Sequence, residues 1–207
     1  SHPCPTREMR ALAQLLFLMV ALANIPANAA WAPNPGPQTQ FLACPFREVG
    51  YGGAAGGGKS DGLLAAAARY IDEPDHSGVI FRRSYPELRN LIRRSLGIYP
   101  GLGGTYNKSQ HEWKFEKGGA TIFRFVDSSD DVYAYQGDAF TFIGWDELTQ
   151  FPGDSEDANK ETINFAYQYM FTRLRRKEGS KIRLQVRATY NPGGIGHHWV
   201  KNRFAIN

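Results

Sequence analysis

The chain has 207 residues, of which 42% are hydrophobic and 21% charged, with 13 Phe, 10 Tyr and 4 Trp. That much apolar material offsets the chain entropy of one folded domain and excludes disorder, while 22 glycines and 12 prolines without a three-residue period exclude a collagen-like or low-complexity chain. Lys plus Arg exceed Asp plus Glu by 24 to 20, a mild basic tilt that suits a polyanionic partner without demanding one; Cys4 and Cys44 are too few for a disulfide framework or a zinc site, which fits a reducing compartment.

Arg7 and Arg10 precede an apolar run over residues 11–23, and Ala27-Asn28-Ala29 follows in the manner of a signal-peptidase site. Because the residues downstream suit a cytosolic rather than a secreted chain, the run reads instead as a helix packed on the body. It is too short to span a bilayer, which takes about 20 apolar residues, and no membrane association is expected. Pro26, Pro33, Pro35 and Pro37 make residues 24–40 an extended connector. Residues 1–34 are therefore read as an N-terminal helix with a Pro-rich connector, and residues 35–207 as one domain.

From Phe46 the pattern becomes regular. Residues 46–51 read as a short buried strand, residues 52–58 as a glycine-rich turn, and residues 60–71 as a helix with Leu63, Leu64, Ala67 and Ile71 at helical spacing. A second strand is predicted over 78–82 and a second helix over 85–96. Trp113, Phe115, Thr121, Phe123 and Phe125 alternate on either side of Gly118-Gly119, a hairpin signal. Residues 141–145 form another apolar strand, 161–176 a helix with Ile163, Tyr167, Met170 and Leu174 facing inward, and 182–189 a last strand. Strands alternating with helices predict an α/β fold, a mainly parallel sheet flanked by helices with an inserted β-hairpin.

The strongest local signal is Gly53-Ala54-Ala55-Gly56-Gly57-Gly58-Lys59-Ser60, a Walker A pattern between a strand and a helix. Its glycines let successive backbone N–H groups turn toward phosphate oxygens, and the helix beginning near Lys59 aims its positive end at them. Lys59 supplies a cation for the β and γ phosphates, and Ser60 a hydroxyl for Mg²⁺. The bland alternative is a flexible glycine-rich turn. Residues 141–147, ending in Asp146-Glu147, supply a Walker B: Asp146 would hold Mg²⁺ through water, and Glu147, pointing to the other side, would polarise the attacking water as general base. Alternatively the acid pair caps a following helix. GTPases want Asp, two residues and Gly here, whereas this chain has Leu148 and Thr149. A Walker B acid followed directly by Glu marks the additional-strand (ASCE) P-loop ATPases.

At the end of the last strand, Thr189 and Asn191 are candidates to contact the γ phosphate or the attacking water; an ordinary Asn-Pro-Gly turn is the alternative. His197 and His198 lack nearby acid or cysteine partners and are not read as ligands. Arg82 and Arg83 either meet DNA or face solvent, and Trp113 and the hairpin phenylalanines are read as core rather than a base-stacking platform.

Taken in order, Pro35-Gly36-Pro37-Gln38, residues 51–60, 81–88 and 99–103, Tyr135-Gln136-Gly137, residues 143–147 and residues 189–199 resemble the large terminase subunit of tailed bacteriophages. The resemblance spans residues 35–204. It implies ATP-driven packaging of viral double-stranded DNA into a procapsid by a ring of subunits docked on the portal protein, with a small terminase subunit selecting the DNA. Action in the host cytoplasm, and absence from the mature virion, are implied with it. Gln38 resembles the glutamine that reads adenine, with Gln40 as a fallback, and Thr189, Tyr190 and Asn191 resemble the motif coupling hydrolysis to movement. Large terminases normally continue into a nuclease domain; the chain stops at Asn207, so the ATPase domain alone is expected.

Lys59 is the only P-loop cation, and Gln136 stands where some terminases carry an arginine. The developing phosphoryl charge therefore calls for an arginine from a neighbouring subunit. Arg173 and Arg175, read as lying on the helix after the Walker B, are the candidates; a solvated basic helix end is the alternative. Two other classes stay open: a helicase- or recombinase-type motor of the same fold class, and a nucleotide-gated binding module without turnover, which would have no need of Glu147.

Overall fold

The computed structural model describes residues 31–54, 56–154 and 164–204. The expected N-terminal helix over 11–23, the P-loop residue Ala55 and the first part of the helix expected from Glu161 lie outside the described residues.

A short helix α1 (Pro37–Ala43) precedes β1 (Glu48–Gly52), which leads through the glycine-rich turn into α2 (Lys59–Ala67). Then come β2 (Ser77–Arg82) and α3 (Tyr85–Ser95), β3 (Gly104–Asn107), β4 (Glu112–Phe115) and β5 (Ala120–Phe125), and β6 (Phe142–Trp145). The chain closes with α4 (Phe165–Phe171), β7 (Gln185–Tyr190) and α5 (His197–Arg203). Short 3₁₀ segments sit at Tyr99–Leu102, Ser129–Tyr135 and Leu148–Gln150.

Among the described residues, all seven strands join one sheet in the order β1-β7-β6-β2-β5-β4-β3. The run from β1 to β5 is parallel, and β4 and β3 extend it antiparallel. The expected hairpin is therefore not a separate insertion. Its second strand, β5, pairs with β2 in the parallel sheet while its first, β4, pairs with the unforeseen β3. The last strand, β7, is slotted between the P-loop strand and the Walker B strand, which is the additional-strand arrangement.

Both faces of the sheet are covered, as parallel strands require. On β2, Val79 and Phe81 face a core shared with Tyr167 and Met170 of α4 and Trp199 and Val200 of α5. Ile80 faces the opposite core with Leu63 and Leu64 of α2 and Leu88 and Leu91 of α3. Trp113, Phe115 and Phe123 are buried core residues, as expected, whereas Phe125 at the strand end is exposed.

Several boundaries differ from expectation for identifiable reasons. Residues 37–43 are helical rather than extended, because proline is tolerated at the first helical position, where its missing N–H has no partner to lose. Helix α2 ends at Ala67, where the backbone tightens into three-residue turns, Arg69 N–H to Ala66 O and Ile71 N–H to Ala68 O. Helix α4 stops at Phe171, because the following segment bridges to the strand side: Leu174 pairs with Phe140, and Arg173 O accepts from Phe140 N–H at 2.8 Å. Buried Arg187 on β7 gave no warning in the sequence. It donates to the carbonyls of Cys44, Phe46 and Val186 at 2.9–3.1 Å, tying the segment before β1 to its neighbouring strand, and burial pulls its pKa down to about 10.

Among the described residues, no helix is long and apolar enough to cross a membrane.

Candidate active site

The glycine-rich turn leaves β1 at its C-terminal end, where the parallel strands β7 and β6 also end. Gly53, Gly56 and Gly58 have positive φ. Gly58 is the most constrained: φ is +67°, and a Cβ there would lie 2.8 Å from Gln38 Nε2. Gln38 is buried against the turn, its amide donating to Gly58 O at 2.6 Å while its carbonyl accepts from Asn34 N–H at 2.6 Å. Gln40, by contrast, is exposed. The Lys59 ammonium donates to Gly53 O at 3.0 Å and Ala54 O at 2.5 Å. Desolvation lowers the Lys59 pKa, and the carboxylates of Glu147 and Asp146 oppose the shift.

Across the turn stands Asp146, fully buried at the end of β6. The Ser60 hydroxyl lies 3.0 Å and 3.2 Å from its two carboxylate oxygens. From β7, the Thr189 hydroxyl donates to Asp146 Oδ1 at 2.5 Å and also accepts from Glu147 N–H at 3.2 Å. One hydroxyl thus spans both members of the acid pair.

Strand alternation would point Glu147 away from Asp146. It does not, because β6 ends at Trp145 and Glu147 adopts φ 55°, ψ 54°, the left-handed region that a non-glycine residue enters only when its surroundings hold it there. The turn brings both carboxylates to one guanidinium: Arg82 Nε lies 2.8 Å from Asp146 Oδ2, and Arg82 Nη1 lies 3.0 Å from Glu147 Oε2.

Arg82, read from the sequence as either meeting DNA or facing solvent, instead turns into the candidate site. It is neither solvent-facing nor displayed for DNA, being only 7% exposed. It ends β2, which pairs directly with β6, so that Phe81 and Trp145 are in register just before Arg82 and Asp146. Arg83 turns outward to pair with Asp127.

The Arg173 and Arg175 segment lies beside Phe140, two residues before β6 begins and so at the end of the sheet opposite Asp146. Neither residue is on a helix: Arg175 donates to Asp138 O at 2.8 Å, and the Arg173 guanidinium covers the Tyr169 ring at 5.4 Å. Tyr190 is buried, with its ring stacked on Phe204, and Asn191 Oδ1 is buried without a hydrogen-bond partner among the described residues. His197 accepts from Gly193 N–H through Nδ1, a local turn contact.

A P-loop after β1, an additional strand β7 and an acid pair just beyond β6 set the comparison with known proteins. The large terminase of bacteriophage HK97 superposes with a TM-score of 0.60 at 10% identity, over 86% of this chain and 38% of that one. An ATPase-domain variant of the Thermus phage P74-26 large terminase gives 0.53 at 14% identity, over 92% of this chain and 71% of that one. This is the fold of large terminase ATPase domains. The large terminase of a further, thermophilic bacteriophage superposes similarly, with a TM-score of 0.52 at 14% identity, over 93% of this chain and 41% of that one. The chain thus spans about two fifths of the HK97 terminase and of this thermophilic one. No protein-family model matches the sequence, and no curated protein sequence does so.

Proposed function

We propose that this chain is the ATP-hydrolysing domain of a motor that drives viral double-stranded DNA into a procapsid. The observation carrying this reading is the convergence of Lys59, Ser60, Asp146, Glu147 and Thr189 at the C-terminal ends of three neighbouring strands in an additional-strand fold. Backbone N–H groups of residues 53–58 and the N-terminus of α2 take the phosphates, Lys59 exchanges its loop carbonyls for phosphate oxygens, and Gln38 links adenine recognition to the turn.

The donor set fits Mg²⁺. Ser60 Oγ and the Asp146 carboxylate are hard oxygens side by side, and no cluster of three His, Cys, Asp or Glu among the described residues would cage an ion by itself. Magnesium commonly takes few protein oxygens and completes its shell with phosphate and water, and it would supply charge neutralisation of the phosphates. Glu147 is one-third exposed and faces the site edge, where its carboxylate accepts a proton from the attacking water. Thr189 holds the Glu147 backbone N–H, and Asn191 Oδ1 is a buried acceptor without a partner among the described residues beyond the same strand end.

Arg173 and Arg175 complete the site only from another subunit, since their own lies at the far end of the sheet. A ring of subunits on a portal protein, a small terminase subunit that selects the DNA, and action in the host cytoplasm complete the proposal. A helicase- or recombinase-type motor remains the alternative within this fold class; a binding module without turnover leaves Glu147 and its strained backbone without a task. Single-turnover ATP hydrolysis, with and without duplex DNA, tests the reading. Nucleotide binding with no turnover at any protein concentration would sink it.

A further inference from the structure

The turn after Glu147 is held from outside by contacts that Glu147 itself does not make. Thr149 is 2% exposed, and its hydroxyl donates to Asn191 O at 3.1 Å, while its own carbonyl accepts from Gly196 N–H at 2.8 Å. Two residues on, Phe151 O accepts from the Trp199 indole N–H at 2.8 Å. The fit leaves no slack: a Cβ on Gly194 would lie 2.6 Å from Thr149 O, and one on Gly196 would lie 2.0 Å from Phe151 O. The loop leaving β7 therefore grips the Leu148–Gln150 turn by hydroxyl, backbone and shape, then runs directly into α5.

Within the turn, Gln150 N–H closes onto Glu147 O at 2.9 Å. Thr149 thus lies inside the hydrogen-bonded turn that Glu147 opens. Thr189 holds the same backbone from the strand side through its hydroxyl. Glu147 sits between two threonine anchors, one on β7 and one on its own turn.

We propose that Thr149 is a positioning residue for Glu147: its hydroxyl, through the Asn191 carbonyl, sets where the Glu147 carboxylate stands, and the same grip carries any movement of that carboxylate to α5. This rests on the reading of Glu147 as general base. An isosteric change, Thr149→Val, removes the hydroxyl with little change of volume, and Thr149→Ser restores it.

The test measures ATP binding and single-turnover hydrolysis on the full chain for wild type, Thr149→Val, Thr149→Ser, Glu147→Gln and the Thr149→Val/Glu147→Gln double variant. Thr149→Val should hydrolyse about 10- to 100-fold more slowly, the scale of misplacing a reacting group by an ångström, with ATP affinity held within about two-fold. Thr149→Ser should recover the rate. In the Glu147→Gln background, Thr149→Val should cost no more than about two-fold, since a residue acting through another has nothing left to position. Amide hydrogen exchange without nucleotide should quicken at Gly196 and Gln150 in Thr149→Val. A wild-type rate in Thr149→Val, or losses that multiply in the double variant, would overturn the assignment while leaving Glu147 as base. A silent Glu147→Gln would remove the general base, and the role of Thr149 with it.

Discussion

Arg82, the last residue of β2, holds Asp146, the first residue beyond β6, at 2.8 Å in a site where the aspartate has no exposed surface. Parallel pairing of the two strands puts both residues at the same sheet edge, and the left-handed turn at Glu147 adds a second carboxylate to the same guanidinium. The guanidinium places one positive charge against both.

Replacing Arg82 with alanine should therefore destabilise the fold by about 3–5 kcal/mol, the usual cost of leaving one partner of a buried pair uncompensated. Arg82→Lys should recover part of this, because an ammonium keeps the charge but cannot bridge two carboxylates in a planar fork. Thermal and urea denaturation of the two variants measure it. Equal stability of wild type and Arg82→Ala would show that the ion pairs contribute nothing to the fold.

Lys59→Ala and Glu147→Gln should separate binding from hydrolysis. The first removes the only P-loop cation, so nucleotide binding should disappear in a titration with a fluorescent ATP analogue. The second keeps the site shape, so binding should persist while single-turnover hydrolysis falls about 100-fold or more, in line with the loss of a general base. Retention of nucleotide binding by Lys59→Ala would place the phosphates elsewhere.

His76 gives a pH prediction. Buried between Ala67 O and the Thr141 hydroxyl, both at 2.9 Å, it has its pKa lowered by desolvation from 6.5 to about 4. The unfolded chain then binds a proton that the folded chain refuses. The contribution of neutral His76 is complete above pH 6.5 and is lost as pH falls toward 4, at up to about 1.4 kcal/mol per unit. Urea denaturation between pH 7 and pH 4 should show this slope in wild type and a flatter one in His76→Gln. Parallel curves would mean that His76 is protonated in the fold.

Duplex DNA should bind the chain without sequence preference and weaken steeply with salt, because backbone contacts by Lys and Arg release condensed counterions. Fluorescence anisotropy with unrelated duplexes across a salt series reads both properties. A strong preference for one sequence, or affinity indifferent to salt, would point to a different kind of DNA protein.

How far the site was legible depends on how local its signals are. Lys59 and Ser60 stand out as candidates because a P-loop pattern is one continuous stretch in which glycines, cation and hydroxyl follow at fixed spacing. Asp146 and Glu147 could be named because they end an apolar strand. The side on which Glu147 lies could not, since alternation predicts the wrong one and the left-handed backbone is met by long-range contacts, the Thr189 hydroxyl at its N–H and Arg82 at its carboxylate. Arg173 and Arg175 were misplaced onto a helix because the helical spacing of apolar residues continues through Leu174, whereas the chain there turns to pair with Phe140.

Alternating strands and helices, the P-loop and the acid pair are properties of short stretches of chain, and the residues alone determine them because each is set by periodicity or by chemistry within a few neighbours. Strand order is different in kind. That β7 enters between β1 and β6, that β2 lies against β6, and that Arg82 consequently meets Asp146 and Glu147 are outcomes of packing between segments far apart in the chain. Such pairings are decided by which apolar faces can be buried together, and this was settled only in the assembled sheet.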